Sequence, residues 1–346
     1  MPDTGDCHVI ECSDPLWSSY ISSNPHANIF HHPAWSGVIA SCYGYRPFVL
    51  VTTGGSGQIS GGIPLMEVNS PLTGKRWVSL PFTDYCNPLY DHDEALQTMV
   101  RWLVNERVQK HLKQVEIRWG LAWGEGVVQD IRLIRQTVPL DPDPEIVSAR
   151  FERVHKQNAR AASKRGVTLV WGHERQHMDL FYELQVETRQ RLGAPVQPHR
   201  YFQTLASRLF ELQLASVLLA YKEDECIAGL VLLHWGNTVI AKYAASKNDQ
   251  WNLRPNNLLF WNGIRWSCEN GYSVFDMGRT EIENQGLHRY KKGWGAEEEP
   301  LAYSTIGAGK SISSNNDIQR LMSYVIRHTP DTVCRVMGEL LYKHVA

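Results

Sequence analysis

The densest collection of charged and aromatic residues in the chain lies in the segment 275–303, FDMGRTEIENQGLHRYKKGWGAEEEPLAY. An apolar run that reads as a strand ends at Gly278, and α/β proteins place their ligands in the loops that follow strand ends. The segment therefore predicts a ligand-binding loop, with a solvated loop around a packing Trp294 as the alternative. Its candidate residues are Arg279, Glu281, Glu283, His288, Arg289, Tyr290, Lys291 and Lys292.

A second pattern, HERQH at 173–177, satisfies the HExxH motif, in which two histidines one helical turn apart bind zinc and the glutamate activates water. That chemistry requires a helix already formed at His173. The preceding residues, GVTLVWG, predict a strand that runs up to His173, and helical periodicity begins only at Met178. We therefore expect the motif in a strand-to-helix turn, with surface histidines and no metal.

A basic stretch, ARFERVHKQNARAASKRG (149–166), carries six arginines and lysines against the single acid Glu152. In a helix, four of these cations fall on one stripe. The stripe could hold the phosphates of a tRNA, a nucleotide or coenzyme A, and a solvated helix face explains the same pattern. Its members are Arg153, Lys156, Arg160 and Lys164.

Signatures of covalent catalysis are missing from the sequence. There is no GxSxG motif, and neither Cys86 nor Cys268 has a neighbouring histidine that would act as a base. The seven cysteines are scattered, odd in number and without a CxxC pair, which favours neither a disulfide framework nor a structural zinc site. A reducing compartment is expected.

A repeated unit must position these residues. Residues 49–62, VLVTTGGSGQISGG, align with residues 217–230, VLLAYKEDECIAGL, at a constant offset of 168, with Gly61 matching Gly229. Each copy predicts a β-hairpin, and in both halves a long helical pattern and a short strand ending in glycine follow it. The duplication predicts an α/β (α+β) fold of two tandem lobes, each a mixed sheet flanked by helices.

Domain bounds follow from the chain length of 346 residues and from the proline- and acid-rich stretch VPLDPDPE. We place the N-terminal lobe at 1–143, the C-terminal lobe at 144–310 and a helical tail at 311–346. A helix is expected at about 146–165, stopped by Gly166.

Composition limits the class of protein. Hydrophobic residues make up 43% of the chain and charged residues 21%, which is typical of a folded protein, and the net charge of −1 provides no global attraction to nucleic acid or to an anionic membrane. No run of about 18 apolar residues occurs, and the acidic start of the chain lacks the features of a signal peptide. We expect a cytoplasmic protein, with peripheral attachment to the inner membrane face as an open alternative.

Four segments resemble the FemAB family. FDMGR followed by GLHRYKKGWG is similar to its C-terminal signature, PFTDYCNPLYDHDEA (81–95) to an Asp-Tyr segment of its first lobe, and FHHPAW (30–35) to its opening; KQNARAASKRGV completes the series over about residues 28–305. The FemAB family has paired GNAT-like lobes and transfers an aminoacyl group from aminoacyl-tRNA to an amine of a muramyl-peptide precursor. GRTEIENQGLHRYKKGWGAEEEPL most resembles FemAB-like proteins of exopolysaccharide and exosortase systems.

The resemblance implies roles for individual residues in the C-terminal lobe, which would carry the transfer site, and in the first lobe. Lys291 would stabilise the oxyanion formed when the amine attacks the carbonyl, and either Asp84 or a group of the substrate would accept the proton of the amine. Gln197 and Gly37 stand where an arginine and a lysine are expected, which sets a nucleotide-linked acceptor in doubt. The implied substrate-binding residues are Tyr290, Tyr243, Tyr201, Tyr85 and Arg279.

Two other functions remain open. A coenzyme A-dependent N-acyltransferase of the same fold would differ in its donor, although QISGGI (58–63) is an imperfect copy of the phosphate-binding loop Q/R-x-x-G-x-G/A. A non-catalytic RNA-binding or scaffold protein would use the basic stripe alone. The main interpretation needs no resident cofactor or metal: aminoacyl-tRNA or acyl-CoA is the co-substrate, and an amine-bearing cell-wall or lipid-linked precursor is the acceptor.

Overall fold

The computed structural model describes residues 6–55, 57–71, 73–121, 124, 126–307 and 323–344, which fall into two compact units. Of the described residues, the first unit takes those up to 133 together with 300–307 and 343–344. The second unit takes 134–299 and 323–342. The division thus falls ten residues before the predicted bound at 143, because the proline-rich stretch only ends a strand that began at Val127.

The first unit opens with a strand and two helices, continues with three strands joined in sequence, and closes with a helix and a strand. Its sheet has the order β1-β2-β3-β4-β6, in which every pairing is antiparallel except that of β4 with β6. The elements are β1 Asp6–Ile10, α1 Pro15–Ser23, α2 Pro33–Tyr43, β2 Arg46–Thr53, β3 Ile59–Ser70, β4 Gly74–Val78, β5 Leu89–Tyr90, α3 Asp93–Gln109 and β6 Gln114–Ile117, with a 3-10 turn at Ile29–His31.

The second unit follows the same plan after an introductory strand and two helices. Its sheet has the order β8-β9-β10-β11-β12, again antiparallel except for β11 with β12. The elements that follow β6 in the chain are β7 Val127–Pro139, α4 Pro144–Ala149, α5 Arg153–Lys164, β8 Val167–Gly172, α6 Arg175–Leu192, α7 His199–Leu209, β9 Ala215–Lys222, β10 Glu225–Trp235, β11 Thr238–Ser246, α8 Pro255–Glu269, β12 Val274–Glu281, α9 Gln285–Lys292 and β13 Glu297–Ile306, with a 3-10 turn at Trp251–Leu253. The start of β7, up to Leu133, and the end of β13, from Pro300, belong to the first unit.

The C-terminal part of the predicted tail consists of two short helices, as expected. These are α10, which includes residues 323–328, and α11 Asp331–Leu341, followed by a 3-10 turn at Tyr342–His344. Instead of forming a separate tail, α11 packs on α6, where Arg335 pairs with Glu183. The remainder of the predicted tail, 308–322, lies outside the described residues.

The shared order of strands and helices confirms the duplication. The likeness extends to the parallel ladders, where the third pair is Val78 with Glu116 in the first unit and Ile240 with Asp276 in the second. Each unit also has an apolar cluster between its hairpin and the helix that follows it, α3 in the first and α8 in the second. The fold class expected from the sequence is therefore confirmed.

The hairpins differ from the alignment in one detail. Gly62 lies opposite Val51, whereas Gly229 lies opposite Leu219, so the offset is 168 on the first strand of the hairpin and 167 on the second. Gly62, and not Gly61, is therefore the counterpart of Gly229. The reason is the packing: a Cβ on Gly62 would lie 2.5 Å from the Trp17 ring, and one on Gly229 would lie 2.8 Å from the Phe181 ring.

Two predicted elements need correction. The helix expected at about 146–165 is divided into α4 and α5, since the backbone N–H of Glu152 leaves the helical pattern and donates to the carbonyl of Gly293 at 2.8 Å. Residues 279–303, expected as a loop after the strand that ends at Gly278, contain the end of β12, all of α9 and the start of β13. Across the described part of the chain, no helix has both the length and the apolar character needed to span a bilayer.

We predict that Gly229→Ala destabilises the second unit, because its new methyl group must displace the Phe181 ring in a tight core. Overpacking of this kind costs about 1–3 kcal/mol of unfolding free energy, measurable as a lower urea midpoint. Gly54→Ala is the control, since no atom lies within 4 Å of its Cβ. Equal midpoints for the two variants would contradict the close approach of α6 to the hairpin.

Candidate active site

The signature strand β12 ends in a turn built by Asp276. Its Oδ1 accepts a hydrogen bond from the backbone N–H of Gly278 at 2.7 Å, and Gly278 has a φ of 72°, in the left-handed region that favours glycine. Its Oδ2 accepts from Nε of Arg135 at 2.7 Å, and the Asp276 side chain is fully buried. The Asp-x-Gly spacing is therefore the spacing that this turn requires.

Lys291 lies against the same turn. Its Nζ donates to the carbonyl oxygens of Gly278 at 2.9 Å and Arg279 at 3.1 Å, and the residue is 6% exposed. The sequence predicted Lys291 in a charged loop after a strand end, but it belongs to α9 and is buried. The signature residues Asp276, Gly278 and Lys291 thus form one structural unit, in which the turn holds the lysine head.

A buried glutamine that the sequence gave no reason to single out fixes α9. Gln136 of β7 is fully buried and donates through Nε2 to the carbonyl of His288 at 3.1 Å and to Glu298 at 2.9 Å. Its Oε1 accepts from the hydroxyl of Thr280 at 2.9 Å. Asn284 caps the helix by accepting from the N–H of Leu287 at 3.1 Å. These bonds fix the position of α9 relative to β12.

The other face of α9 packs on α5 through an aromatic cluster. The His155 ring lies 5.1 Å from that of Tyr290 and 4.6 Å from that of Trp294, and its Nδ1 accepts from Asn257 at 2.9 Å. Burial lowers the pKa of His155 and raises that of Tyr290. The hydroxyl of Tyr290 and Nε1 of Trp294 are buried without a hydrogen-bond partner among the described residues.

Tyr201 and Tyr243 form a separate pair in the same unit. Their hydroxyl oxygens are 2.9 Å apart, and Gln197 donates to Tyr243 at 3.5 Å. Tyr201 of α7 is fully buried, while Tyr243 of β11 is half-buried. The structure thus brings these two predicted acceptor tyrosines together and places Gln197, which stands where an arginine was expected, beside them.

The strands that carry Tyr243 and Gly278 separate near these residues. Parallel pairing of β11 with β12 covers only 238–240 and 274–276, so both residues lie beyond the ladder, at the carboxyl ends of the paired stretch. A β-bulge with β10 falls at the same place on β11, between Ala241 and Tyr243. Ligands of α/β proteins bind at such strand ends. The second unit therefore has a candidate ligand site here.

Asp84 and Tyr85 belong to the first unit, in the loop after β4. Tyr85 is 2% exposed and packs edge-on against Phe30 at 5.5 Å, and the carbonyl of Asp84 accepts a hydrogen bond from the Tyr303 hydroxyl. Arg118 holds the loop by donating to the carbonyl of Thr83 at 2.6 Å. These contacts explain the order of the loop; the role of Asp84 as proton acceptor remains a prediction from the resemblance.

The basic stripe lies on α5, as predicted. Arg153, Arg160 and Lys164 are exposed and Lys156 is half-buried. None of the four forms an ion pair with another described residue. Arg279 is also exposed, one residue past the Gly278 turn.

The HERQH motif occupies the predicted strand-to-helix turn. The strand β8 ends at Gly172 and α6 begins at Arg175, so His173 precedes the helix that contains His177. Within the described ranges, no three His, Cys, Asp or Glu side chains are grouped closely enough to hold a metal ion. The expectation that the protein needs no zinc stays a prediction.

Part of the chain that contains this candidate site matches a known protein family. Residues 149–292, which include α5, β11, β12 and α9, match the family model described as an acetyltransferase (GNAT) domain. No curated protein matches the chain.

Solved structures show the fold. The crystal structure of FemX has a TM-score of 0.70 at 16% identity, covering 91% of this chain and 100% of its own. L-PGS from Bacillus licheniformis has a TM-score of 0.56 at 14% identity, covering 92% and 99%. A tandem GNAT protein from the clavulanic acid biosynthesis pathway has a TM-score of 0.53 at 12% identity, covering 88% and 100%. Residues 149–292 thus form an acyltransferase domain of the GNAT superfamily, within a chain that shares the fold of FemX.

Proposed function

We propose that this acyltransferase transfers an aminoacyl group from aminoacyl-tRNA to an amine-bearing precursor of the cell envelope. The observation that carries the proposal is the two-sided helix α5. Its outer face presents the cationic stripe from Arg153 to Lys164, and its inner face packs through His155 on the helix that holds Lys291. The helix whose outer face is suited to bind the phosphates of a nucleic acid therefore packs directly on α9, the helix that contains Lys291.

The helix N-termini support this donor over coenzyme A. A pyrophosphate cradle needs free backbone N–H groups and close approach at a helix start. In the second unit α8 begins at Pro255, which lacks an N–H, after Arg254 with a φ of 59°, and the preceding loop KNDQWNLR contains no glycine. In the first unit the first turn of α3 carries Asp93 and Glu94, which disfavour an anion.

The proposed reaction is aminolysis of the ester that joins the aminoacyl group to tRNA. The neutral amine attacks the carbonyl carbon, and the carbonyl oxygen gains negative charge. As the C–N bond forms the ester C–O bond breaks, and the proton lost by the amine ends on the departing tRNA oxygen, which leaves as a hydroxyl. Lys291, held by two backbone carbonyls, places an ammonium at the end of β12, where it stabilises that charge. The hydroxyl pair of Tyr201 and Tyr243 orients the acceptor.

The choice of acceptor rests on the similar proteins. A further similar structure is the C-terminal domain of a putative lysylphosphatidylglycerol synthetase from Agrobacterium fabrum, a protein named for an aminoacylated lipid. FemX shares the fold over nearly the whole chain. We therefore infer a cell-wall or lipid-linked acceptor and a protein that works at the inner membrane face.

The donor is tested by offering the purified protein labelled aminoacyl-tRNA pools or acyl-CoAs together with candidate amines. We expect label in the amine product only from aminoacyl-tRNA, and a KM for tRNA that rises steeply with salt. Arg160→Glu and Lys164→Glu should raise that KM by about tenfold each, if each reversal costs about 1.4 kcal/mol. Lys110→Glu, an exposed change in the first unit, is the control. Efficient transfer from acetyl-CoA would show the rival donor instead, and RNA binding without any transfer would show a scaffold.

We predict that Lys291→Met lowers kcat by about 10²–10³ with little change in KM, because its charge acts mainly in the transition state. Contrary to the expectation for an exposed residue, it should also cost about 1–3 kcal/mol of unfolding free energy, since two buried carbonyls lose their donor. Lys292→Met is the control, because Lys292 is exposed on the same helix. Assays well below the melting temperature separate the loss of catalysis from the loss of stability. Equal turnover of Lys291→Met and Lys292→Met would refute the role of Lys291 in stabilising the oxyanion.

We predict that Gly293→Ala moves α9 and lowers turnover. Gly293 has a φ of −63°, which alanine adopts freely, so the cost is purely steric: the new Cβ would lie 2.3 Å from Nε2 of His155. Adding His155→Ala should restore part of both stability and turnover in a double-mutant cycle. Gly286→Ala in the same helix is the control, because its Cβ meets only Asn284 at 3.9 Å. Additive losses in the double variant would show that His155 and Gly293 do not act as a pair.

A further inference from the structure

We propose that the first unit binds an oxyanion, a carboxylate or phosphate group, at Arg76. The proposal concerns a site other than the transfer site and does not depend on the identity of the acyl donor.

The first step is the position of Arg76. On β4 the neighbouring Trp77 packs in the apolar core against α3, so strand alternation places Arg76 on the opposite face of the sheet. Arg76 is only 3% exposed. Its Nε and Nη2 are buried and have no hydrogen-bond partner among the described residues. A guanidinium in this state lacks what buried charges normally have, which is a paired and hydrogen-bonded partner.

The second step is the balance of charge around it. Glu116 of β6 is the carboxylate that acts on Arg76, and it is already paired with Arg118 at 3.1 Å. Arg118 is itself only 8% exposed, and another of its N–H groups donates a hydrogen bond to the carbonyl of Thr83. Among the described residues, two buried guanidinium groups therefore share one carboxylate. Burial lowers the pKa of Arg76, as expected for a buried positive charge that lacks a carboxylate of its own.

The second unit shows how the chain balances the equivalent place. Asp276 occupies the ladder position that corresponds to Glu116, and there one guanidinium, that of Arg135, lies between Asp276 at 2.7 Å and Glu299 at 2.7 Å. Two carboxylates thus serve one arginine in the second unit, while one carboxylate serves two arginines in the first. The excess positive charge at Arg76 is a property of this site and not of the fold.

The third step is the ligand class. The fork of Nε and Nη2 matches two oxygens of one carboxylate or phosphate, and it is these two atoms that lack a partner. Gln114, which is buried and lies directly opposite Arg76 in the ladder, supplies an amide on the same strand pair. A neutral ligand would leave the charge uncompensated, and a metal cation would be repelled. A small oxyanion satisfies both the charge and the geometry.

The test uses the full chain with inorganic phosphate and acetate as probes, each compared with chloride at equal ionic strength. Thermal unfolding and titration calorimetry are measured for the wild type, Arg76→Met, Arg76→Lys and Lys75→Met. Lys75→Met is the matched control, because it removes an exposed cation one residue away that is paired with Glu67. Comparison of the two probes distinguishes a phosphate-bearing ligand from a carboxylate.

We expect one of the anions to raise the melting temperature of the wild type and of Lys75→Met, as binding to the folded state requires. Arg76→Met should abolish the shift, and Arg76→Lys should weaken binding by at least about tenfold, because it keeps the charge but loses the fork. Without added anion, Arg76→Met should be no less stable than the wild type. Absence of any shift in the wild type, equal shifts in wild type and Arg76→Met, or a less stable Arg76→Met in chloride would each overturn the proposal.

Discussion

The second unit depends on the buried carboxylate of Asp276. It neutralises Arg135 on one oxygen and fixes the Gly278 turn with the other. This turn directs the carbonyl oxygens of Gly278 and Arg279 at the Lys291 ammonium. Without this carboxylate the backbone N–H of Gly278 would lose its acceptor and Arg135 would keep only Glu299, and both losses are costly in a buried setting. Because Lys291 belongs to α9, the turn that Asp276 builds also holds this helix, and with it the aromatic cluster on the other face of the helix.

The duplicated plan explains why such a position exists at all. In both units a short parallel ladder joins the strand after the hairpin to the strand after the long helix, and in both the third pair carries an acid, Glu116 or Asp276. The two copies then differ in what surrounds the acid. In the second unit the acid builds a turn that holds a lysine, whereas in the first it pairs with Arg118 and leaves Arg76 in excess.

Much of this arrangement could be predicted from the sequence, because it depends on local patterns. The hairpins, the strand before His173 and the stop at Gly166 follow from alternation and from glycine. The burial of Lys291 could not be predicted, since its partners are backbone carbonyls, which every residue has. Gln136 gave no signal either: its three partners come from β12, α9 and β13, elements far from it in the chain. The one-residue difference between Gly61 and Gly62 is decided by where a tryptophan ring packs, which no alignment of the hairpins records.

The path of β13 has a consequence for synthesis of the chain. Residues Ser304 and Thr305 pair with Ile117 and Glu116 of β6, so a strand translated after the sheet of the second unit completes the sheet of the first unit. Contacts of such long sequence separation form slowly, because the chain must lose the entropy of closing a loop of nearly two hundred residues before the strands can pair. Until Pro300 and its successors leave the ribosome, β6 presents an open edge with unpaired backbone groups, the kind of surface that nucleates aggregation. The sheet of the first unit is therefore completed only after the sheet of the second unit has been translated, and a nascent chain stalled in the second unit exposes an incomplete sheet in the first.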